Sequence, residues 1–280
     1  MVKHTKIILP AMFLAGFCFL CSCTVDLLGL FGSNDLDTRL EEKNSFKFLT
    51  DAELNPPSFG DEYSFIVVTD THIEDDDAYS LYNLKSVIDA GSGGEEIKFV
   101  VFTGDITQNG SRKDIERFKN IASHLGIPCY PVIGNHDVYF SNWPLWRELI
   151  GSTRYRIDDG DGTTLFILDS ANAFFGKSQL DWLQRELKNA QGRVFVFTHT
   201  NLFVESPGDI QQLTDTKERA RLVSLLRNRC DAMFTGHLHK RIETKIEGIP
   251  FVSIEDYKSK NIYCRVYVTG TGITYKFEKL

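Results

Sequence analysis

The stretch Ser64–His72 (SFIVVTDTH) decides the fold of this 280-residue chain, because an apolar run of strand length leads directly into polar side chains. Similar apolar runs, each ending at a threonine, occur at 98–103 (KFVVFT), 193–198 (RVFVFT) and 231–235 (DAMFT). Runs that are apolar on both faces indicate strands of a sheet that is covered on both sides. A buried sheet is therefore expected at the centre of the molecule.

Segments with helical periodicity lie between these strands. Apolar residues at helical spacing run from Ile115 to Leu125, with Ser111 as the N-cap and Gly126 at the end. Further helices are predicted around 180–187 and 222–226. Alternation of strands and helices predicts an α/β fold, in which functional sites lie at the carboxyl ends of the strands.

Short polar motifs follow the strands at those ends. In chain order they are Asp70-Thr71-His72, Gly104-Asp105, Gly134-Asn135-His136-Asp137, His199 and Gly236-His237-Leu238-His239. Carboxylate, imidazole and amide groups without a thiolate suit a borderline-hard divalent metal such as Mn, Fe(II), Zn or Ni. Seven candidate ligands are too many for one tetrahedral ion but fit two ions that share a carboxylate. They are Asp70, His72, Asp105, Asn135, His199, His237 and His239.

In their order and residue identities, these motifs resemble those of the calcineurin-like metallophosphoesterase superfamily, whose pattern is DxH, GD, GNH(D/E), H and GHxH. The resemblance covers roughly residues 61 to 280 and includes Tyr155–Ser170, Gln179–Leu183 and Gly248–Phe251. It implies a four-layer α/β/β/α sandwich, made of two mixed sheets flanked by helices. It also implies a phosphodiesterase or phosphomonoesterase in which a metal-bridging hydroxide attacks phosphorus in line.

The same resemblance implies a role for each polar residue. Asp105 would bridge the two ions, and the other six ligands would divide between them. The two groups are Asp70, His72 and His239 for one ion, and Asn135, His199 and His237 for the other. Because His237 and His239 are one residue apart, side chains in an extended segment would point in opposite directions, so the loop must bend.

Two residues of the third motif are predicted to act without binding metal. His136 is the candidate proton donor to the leaving oxygen, since imidazole changes its protonation near neutral pH. Asp137 is predicted to orient the His136 ring and to hold it protonated.

Departures from the motifs of particular branches narrow the substrate class. The second motif, GDITQNG at 104–110, lacks the arginine that protein Ser/Thr phosphatases carry there. Gln108 stands where purple acid phosphatases have a tyrosine ligand, so no ferric–tyrosinate centre is expected. A formal net charge of −7 gives no general attraction to nucleic acid, so the expected partner is a small phosphoester. The oligomeric state stays open.

The first residues predict export as a bacterial lipoprotein. Lys3 and Lys6 precede an apolar stretch, 7–20, which is short for a membrane span. Leu20-Cys21-Ser22-Cys23 resembles a lipobox, so Cys23 is expected to carry lipid that anchors the chain to a membrane of the cell envelope. The alternatives are an uncleaved membrane anchor or a plain signal that is cut nearby.

The predicted organisation is therefore a signal peptide at 1–22, a lipidated tether at 23–60 and a metallophosphoesterase domain at 61–280. A short helix within 37–49 is compatible with the tether. The alternative to an enzyme is a surface lipoprotein that uses the same fold for partner binding without useful turnover. Retention of every predicted ligand favours the enzyme.

Several neighbouring residues have two open interpretations. The acidic run Glu74–Asp77 either caps a following helix or forms a further cation site. Tyr139 and Phe140 could line the pocket, whereas core packing is favoured for the two tryptophans that follow. Asn201 and Lys240 are weak candidates for phosphate contacts.

Overall fold

A computed structural model describes residues 36–41, 45–74, 79–91, 96–203 and 215–280, without the side chains of Tyr79 and Phe140. Its strands are β1 Tyr63–Val68, β2 Ile97–Thr103, β3 Cys129–Val132, β4 Tyr155–Asp158, β5 Thr163–Ile167, β6 Arg193–Phe197, β7 Ala232–Thr235, β8 Ile242–Ile246, β9 Ile249–Ser253, β10 Ile262–Thr269 and β11 Gly272–Lys279. They form two mixed sheets, ordered β11-β10-β1-β2-β3 and β4-β5-β6-β7-β9-β8.

Helices lie between most of these strands, as the periodicity predicts. They are α1 Leu36–Glu41, α2 Asp51–Leu54, α3 Tyr79–Tyr82, α4 Leu84–Ala90, α5 Arg112–Leu125, α6 Trp143–Leu149, α7 Gly176–Glu186, α8 Thr216–Leu226 and α9 Tyr257–Lys260, with a 3₁₀ helix at His136–Ser141. The predicted caps of α5 are present, since Ser111 accepts a hydrogen bond from the Asp114 N–H and Gly126 adopts a φ of 73°. Within the described ranges, none of the helices is long and apolar enough to cross a membrane.

The two sheets pack face to face through aromatic side chains. The Phe65 ring lies 4.7 Å from Phe99 in its own sheet and 5.1 Å from Phe195 in the other, measured between centroids. Alternate residues of the strands in both sheets point outward to the helices. Phe102 packs on Phe118 of α5, and Phe166 packs on Trp182 of α7. The predicted four-layer α/β/β/α sandwich is therefore confirmed.

The described part of the predicted tether packs against the sandwich and includes the helix α1, an arrangement that the sequence leaves open. Arg39 of α1 is fully buried and donates two hydrogen bonds to Asp169, at 2.7 and 2.8 Å. Phe46 pairs with Gly151 by a β-bridge, and Phe59 is buried between the sheets. The predicted signal peptide at 1–22 and the predicted lipid site at Cys23 lie outside the described residues.

Candidate metal centre

The polar motifs converge at one end of the sandwich, where the carboxyl ends of β1, β2, β3, β6 and β7 meet. The structure brings all seven predicted ligands together there. Two groups share Asp105 between them: set A (Asp70, His72 and His239) and set B (Asn135, His199 and His237). This division is the one that the sequence resemblance implies.

Set A presents three atoms that can bind a cation. The Nε2 of His239 lies 3.3 Å from the Oδ1 of Asp70 and 3.3 Å from the Nε2 of His72. The other carboxylate oxygen of Asp70, Oδ2, accepts hydrogen bonds from the Thr69 hydroxyl and the His237 N–H. Asp70 Oδ1 is buried and has no hydrogen-bond partner among the described residues. A buried anionic oxygen without a donor is costly, so this atom fits a metal ligand.

Set B is arranged around the buried His199 ring. The Nδ1 of His199 is 3.0 Å from the Thr103 carbonyl oxygen, to which it donates, so Nε2 is directed into the site. That Nε2 lies 3.0 Å from Asn135 Oδ1 and 3.0 Å from His237 Nδ1. When the His199 ring is protonated, Nε2 donates to this amide oxygen, and when the ring is deprotonated both atoms can bind a cation. The donor set fits a divalent metal.

Asp105 faces both sets through a single oxygen. Its Oδ1 accepts a hydrogen bond of 2.8 Å from the backbone N–H of His136. Its Oδ2 lies 3.3 Å from His199 Nε2 and 4.0 Å from His72 Nε2. The geometry is therefore compatible with the predicted bridge and places it on Oδ2.

Charge interactions inside the site are strong because the groups are buried. Burial alone would lower the pKa of His199, but Asp105 and Asp70 outweigh it and raise this pKa to about 9. Burial and the neighbouring His199 lower the pKa of His237 to about 4. Burial opposes ionisation of Asp105, yet His199 holds the pKa of that carboxyl well below its usual range. The carboxylates thus create a strong field for positive charge.

The backbone bends sharply at five of the seven predicted ligands. Positive φ values occur at Asp70 (51°), His72 (41°), Asp105 (47°), His237 (72°) and His239 (54°). Such values are disfavoured for residues with a Cβ and concentrate at functional sites. The bend at 237–239 turns both histidines toward the centre, as expected, with Nδ1 of the first and Nε2 of the second facing the other ligands.

Each motif glycine makes room for a ligand from a different motif. A Cβ at any of the three positions would overlap atoms of the neighbouring residue. The pairs are Gly104 with His199, Gly134 with Asp105, and Gly236 with both Thr69 and Asp70. The glycines are therefore required by the close packing between loops.

His136 lies beside the ligand sets. Its Nδ1 donates a 2.8 Å hydrogen bond to the Gln108 carbonyl oxygen, which leaves Nε2 turned toward the centre, 4.0 Å from Asp105 Oδ2. The ring lies between two others, with centroids 4.5 Å from His72 and 4.3 Å from Tyr139. This position suits proton transfer at Nε2.

The prediction that Asp137 orients the His136 ring is wrong. The partner of that ring nitrogen is the Gln108 carbonyl, and the Asp137 carboxylate is occupied elsewhere. It accepts hydrogen bonds from the N–H groups of Ile106, Thr107 and Gly134 and from the Thr107 hydroxyl. Asp137 therefore ties the loop after β2 to the loop after β3. Burial and the nearby Asp105 raise its pKa to about 6.

The other residues for which the sequence left two interpretations open do not belong to set A or set B. Glu74 pairs with Lys258 at 3.6 Å, and Asp75–Asp77 lie outside the described residues. Trp143 and Trp146 are buried in the core, as favoured. Asn201 is buried and its Oδ1 accepts a hydrogen bond from the Phe203 N–H, so Asn201 stabilises its own loop.

One contact in the site was not predicted from the sequence. The Tyr139 hydroxyl accepts a hydrogen bond from Asn135 Nδ2, which the i,i+4 spacing of the two residues allows.

Comparison with known proteins gives a consistent family match. Residues 63–241 match the sequence profile of the calcineurin-like phosphoesterase family. A probable cyclic nucleotide phosphodiesterase of Fibrobacter succinogenes is 24% identical over 200 residues, which cover 64% of this chain and 74% of that protein. The 3',5'-cyclic adenosine monophosphate phosphodiesterase of Pseudomonas aeruginosa is 24% identical over 68% of this chain and 74% of its own length. A probable glycerophosphodiester phosphodiesterase of Arcobacter nitrofigilis is 27% identical, over 62% and 71% respectively.

Solved structures share the fold. A dimetal phosphatase from Danio rerio superposes with a TM-score of 0.62 at 14% identity, covering 77% of this chain and 95% of that one. A purple acid phosphatase from yellow lupin gives a TM-score of 0.64 at 12% identity, covering 80% and 53%. At these identities the likeness concerns the fold alone.

Proposed function

Because the chain belongs to the calcineurin-like phosphoesterase family, we propose that it hydrolyses a small phosphodiester outside the cytoplasm. It is a hydrolase of phosphoester bonds that uses two divalent metal ions, whose identity is open. The preference for diesters, the residue roles and the location are the proposal. The observation that carries the proposed residue roles is the placement of Asp105 Oδ2 between set A and set B.

When two divalent ions are bound, they acidify a water nucleophile, clamp phosphate oxygens and offset the charge that develops on them. Set A and set B would hold these ions, with Asp105 shared. Asp70 Oδ2 and Asp105 Oδ1 accept backbone hydrogen bonds and His199 Nδ1 donates one, and these contacts fix the predicted ligands in place. Preorganised ligands of this kind need little rearrangement when the ions bind.

His136 would supply the proton that the leaving oxygen needs. The Gln108 carbonyl holds Nδ1, so a protonated ring can release only the Nε2 proton toward the centre. In a cyclic nucleotide or a glycerophosphodiester, the oxygen that leaves phosphorus belongs to an alkoxide, which departs poorly unless it is protonated. General-acid help is worth roughly 10²–10⁴-fold in such a step.

Diesters are proposed as substrates on two grounds. The relatives reported above carry phosphodiesterase names, for cyclic nucleotides or for glycerophosphodiesters. The second motif also lacks the arginine that the protein phosphatase branch uses to bind a phosphate. A phosphodiester carries one negative charge, so its binding depends less on a positively charged side chain than the binding of a monoester does.

The location is proposed from the sequence of the first residues. Cleavage before Cys23 would remove both lysines of the leader and change the formal net charge from −7 to −9. An acidic protein is not attracted electrostatically to an anionic membrane surface, so lipid on Cys23 would supply the attachment. The enzyme would then act at the cell envelope on substrates that reach it from outside the cytoplasm.

A substrate panel tests this function. The purified protein is supplied with Mn²⁺ and assayed on 3',5'-cyclic AMP, a glycerophosphodiester and matched phosphomonoesters. We expect kcat/KM to be higher on at least one diester than on any monoester. A preference for monoesters would overturn the diester assignment but leave the family's chemistry intact.

A further inference from the structure

Tyr139 contacts both a predicted metal ligand and the predicted proton donor. Its hydroxyl oxygen lies 2.9 Å from Asn135 Nδ2, from which it accepts a hydrogen bond. Its ring lies 4.3 Å from the His136 ring, with the two planes tilted by 41°. Both contacts arise because Asn135 directly precedes the 3₁₀ helix that carries His136 and Tyr139.

The hydroxyl contact matters because Asn135 is the one predicted ligand of set B whose side chain can turn a cation-repelling group toward the ion. A carboxamide oxygen is neutral, and the amide can rotate about χ2 so that its NH₂ group, which repels a cation, faces the centre. In the structure one end of the amide meets the Tyr139 hydroxyl and the other, Oδ1, meets His199 Nε2 at 3.0 Å. Holding Nδ2 at the hydroxyl keeps Oδ1 directed at the site of the ion.

We propose that Tyr139 is a positioning residue that holds Asn135 in its metal-binding orientation through its hydroxyl and supports the His136 ring through its aromatic face. This inference rests on the proposed function. The two contacts use different parts of one side chain, so substitutions can separate them. Tyr139→Phe removes the hydroxyl and keeps the ring, whereas Tyr139→Leu removes both.

Metal binding provides the main test, with a readout that does not depend on turnover. Mn²⁺ is titrated calorimetrically into the metal-free full chain, and the affinities of the two ions are compared. We expect Tyr139→Phe to weaken one ion by about 10- to 100-fold, the range for lost partners of metal ligands, and to leave the other unchanged. Tyr63→Phe is the matched control, because it removes a buried hydroxyl contact of 2.9 Å to Thr163 far from the centre.

A double-variant cycle shows whether Tyr139 acts through Asn135. If it does, adding Tyr139→Phe to Asn135→Ala causes no further loss of metal affinity. An additive loss, or Tyr139→Phe affinities equal to those of the wild type, would overturn the proposal. A wild-type chain that binds no pair of ions would instead refute the proposed function.

Turnover at saturating Mn²⁺ tests the ring contact. Tyr139→Phe should regain wild-type turnover once both ions are bound. Tyr139→Leu should lose more rate on alkyl phosphodiesters than on nitrophenyl ones, because only the former need a proton from His136. An equal loss on both substrates would contradict support of His136 by the ring.

Discussion

Asp105 Oδ2 lies 3.3 Å from His199 Nε2, while its other oxygen is held by the backbone N–H of His136. The carboxylate therefore cannot rotate freely, and one oxygen serves both ligand sets. This arrangement fits the proposed role of Asp105 as the residue that connects the two ions. Its neighbours His72 and His199 each belong to one set only.

Asp105→Ala should remove binding of both ions, because it deletes the one atom that faces set A and set B together. His199→Ala is the comparison, and it should weaken mainly the ion of set B. Metal content measured by inductively coupled plasma mass spectrometry distinguishes the two variants. Retention of one ion at normal affinity in Asp105→Ala would contradict the bridge.

His136→Ala should keep both ions and lose rate in a manner that depends on the leaving group. We expect a loss of about 10²–10⁴-fold on alkyl phosphodiesters and a small loss on nitrophenyl esters, which depart without a proton. Turnover on the two substrate types, with metal content alongside, provides the measurement. An equal loss on both with metals retained would indicate phosphate binding, and lost metals would make His136 part of the metal site.

Asp137→Ala should destabilise the fold by several kcal/mol, since each buried donor left without a partner costs about 1–3 kcal/mol. Three backbone N–H groups and one hydroxyl lose their acceptor in this variant. Urea unfolding of the metal-free chain measures the effect. The opposite outcome is an Asp137→Ala variant that is as stable as the wild type and loses rate mainly on alkyl phosphodiesters, as expected of His136→Ala. That outcome would mean that Asp137 acts directly in catalysis, contrary to the structure.

Arg39→Ala should lower the free energy of unfolding by about 3–5 kcal/mol, because it leaves Asp169 as a buried charge without its partner. Both side chains of this pair are fully buried. Lys177→Ala is a suitable control, since its ion pair with Asp181 is exposed and worth little. Equal unfolding midpoints for the two variants would mean that α1 is not an integral part of the domain.

Cys23→Ser should abolish acylation and release the chain from the membrane. The lipobox predicts that this cysteine alone receives the lipid, so Cys21→Ser is the matched control and should remain labelled. Metabolic labelling with a fatty-acid analogue, followed by membrane fractionation, reads out both variants. Unchanged labelling of Cys23→Ser would refute the lipid assignment.

Much of the site could be predicted because its chemistry is local in the sequence. Each ligand directly follows an apolar strand, so the strand pattern and the parallel topology together bring the motifs to one end of the sandwich. The division into set A and set B came from the family resemblance, and the distances between these side chains are compatible with it. The one-residue separation of His237 and His239 predicts that their loop bends, but it does not predict which imidazole nitrogen of each residue faces the centre.

Contacts between distant segments could not be predicted. Arg39 and Asp169 are 130 residues apart, and the polar composition around α1 gives no sign that it is buried. The prediction that Asp137 orients His136 is wrong because two residues adjacent in sequence need not have their side chains in contact. The 3₁₀ helix turns its carboxylate toward the backbone of the neighbouring loop instead.

Titration of the metal-free chain with Mn²⁺, followed simultaneously by bound metal and by hydrolysis of bis(p-nitrophenyl) phosphate, tests the central claim most directly. The account predicts two ions per chain, turnover that rises as the second ion binds, and loss of both in Asp105→Ala. Two bound ions without turnover of any phosphoester would indicate a binding protein, and failure to bind two ions would contradict the dimetal centre itself.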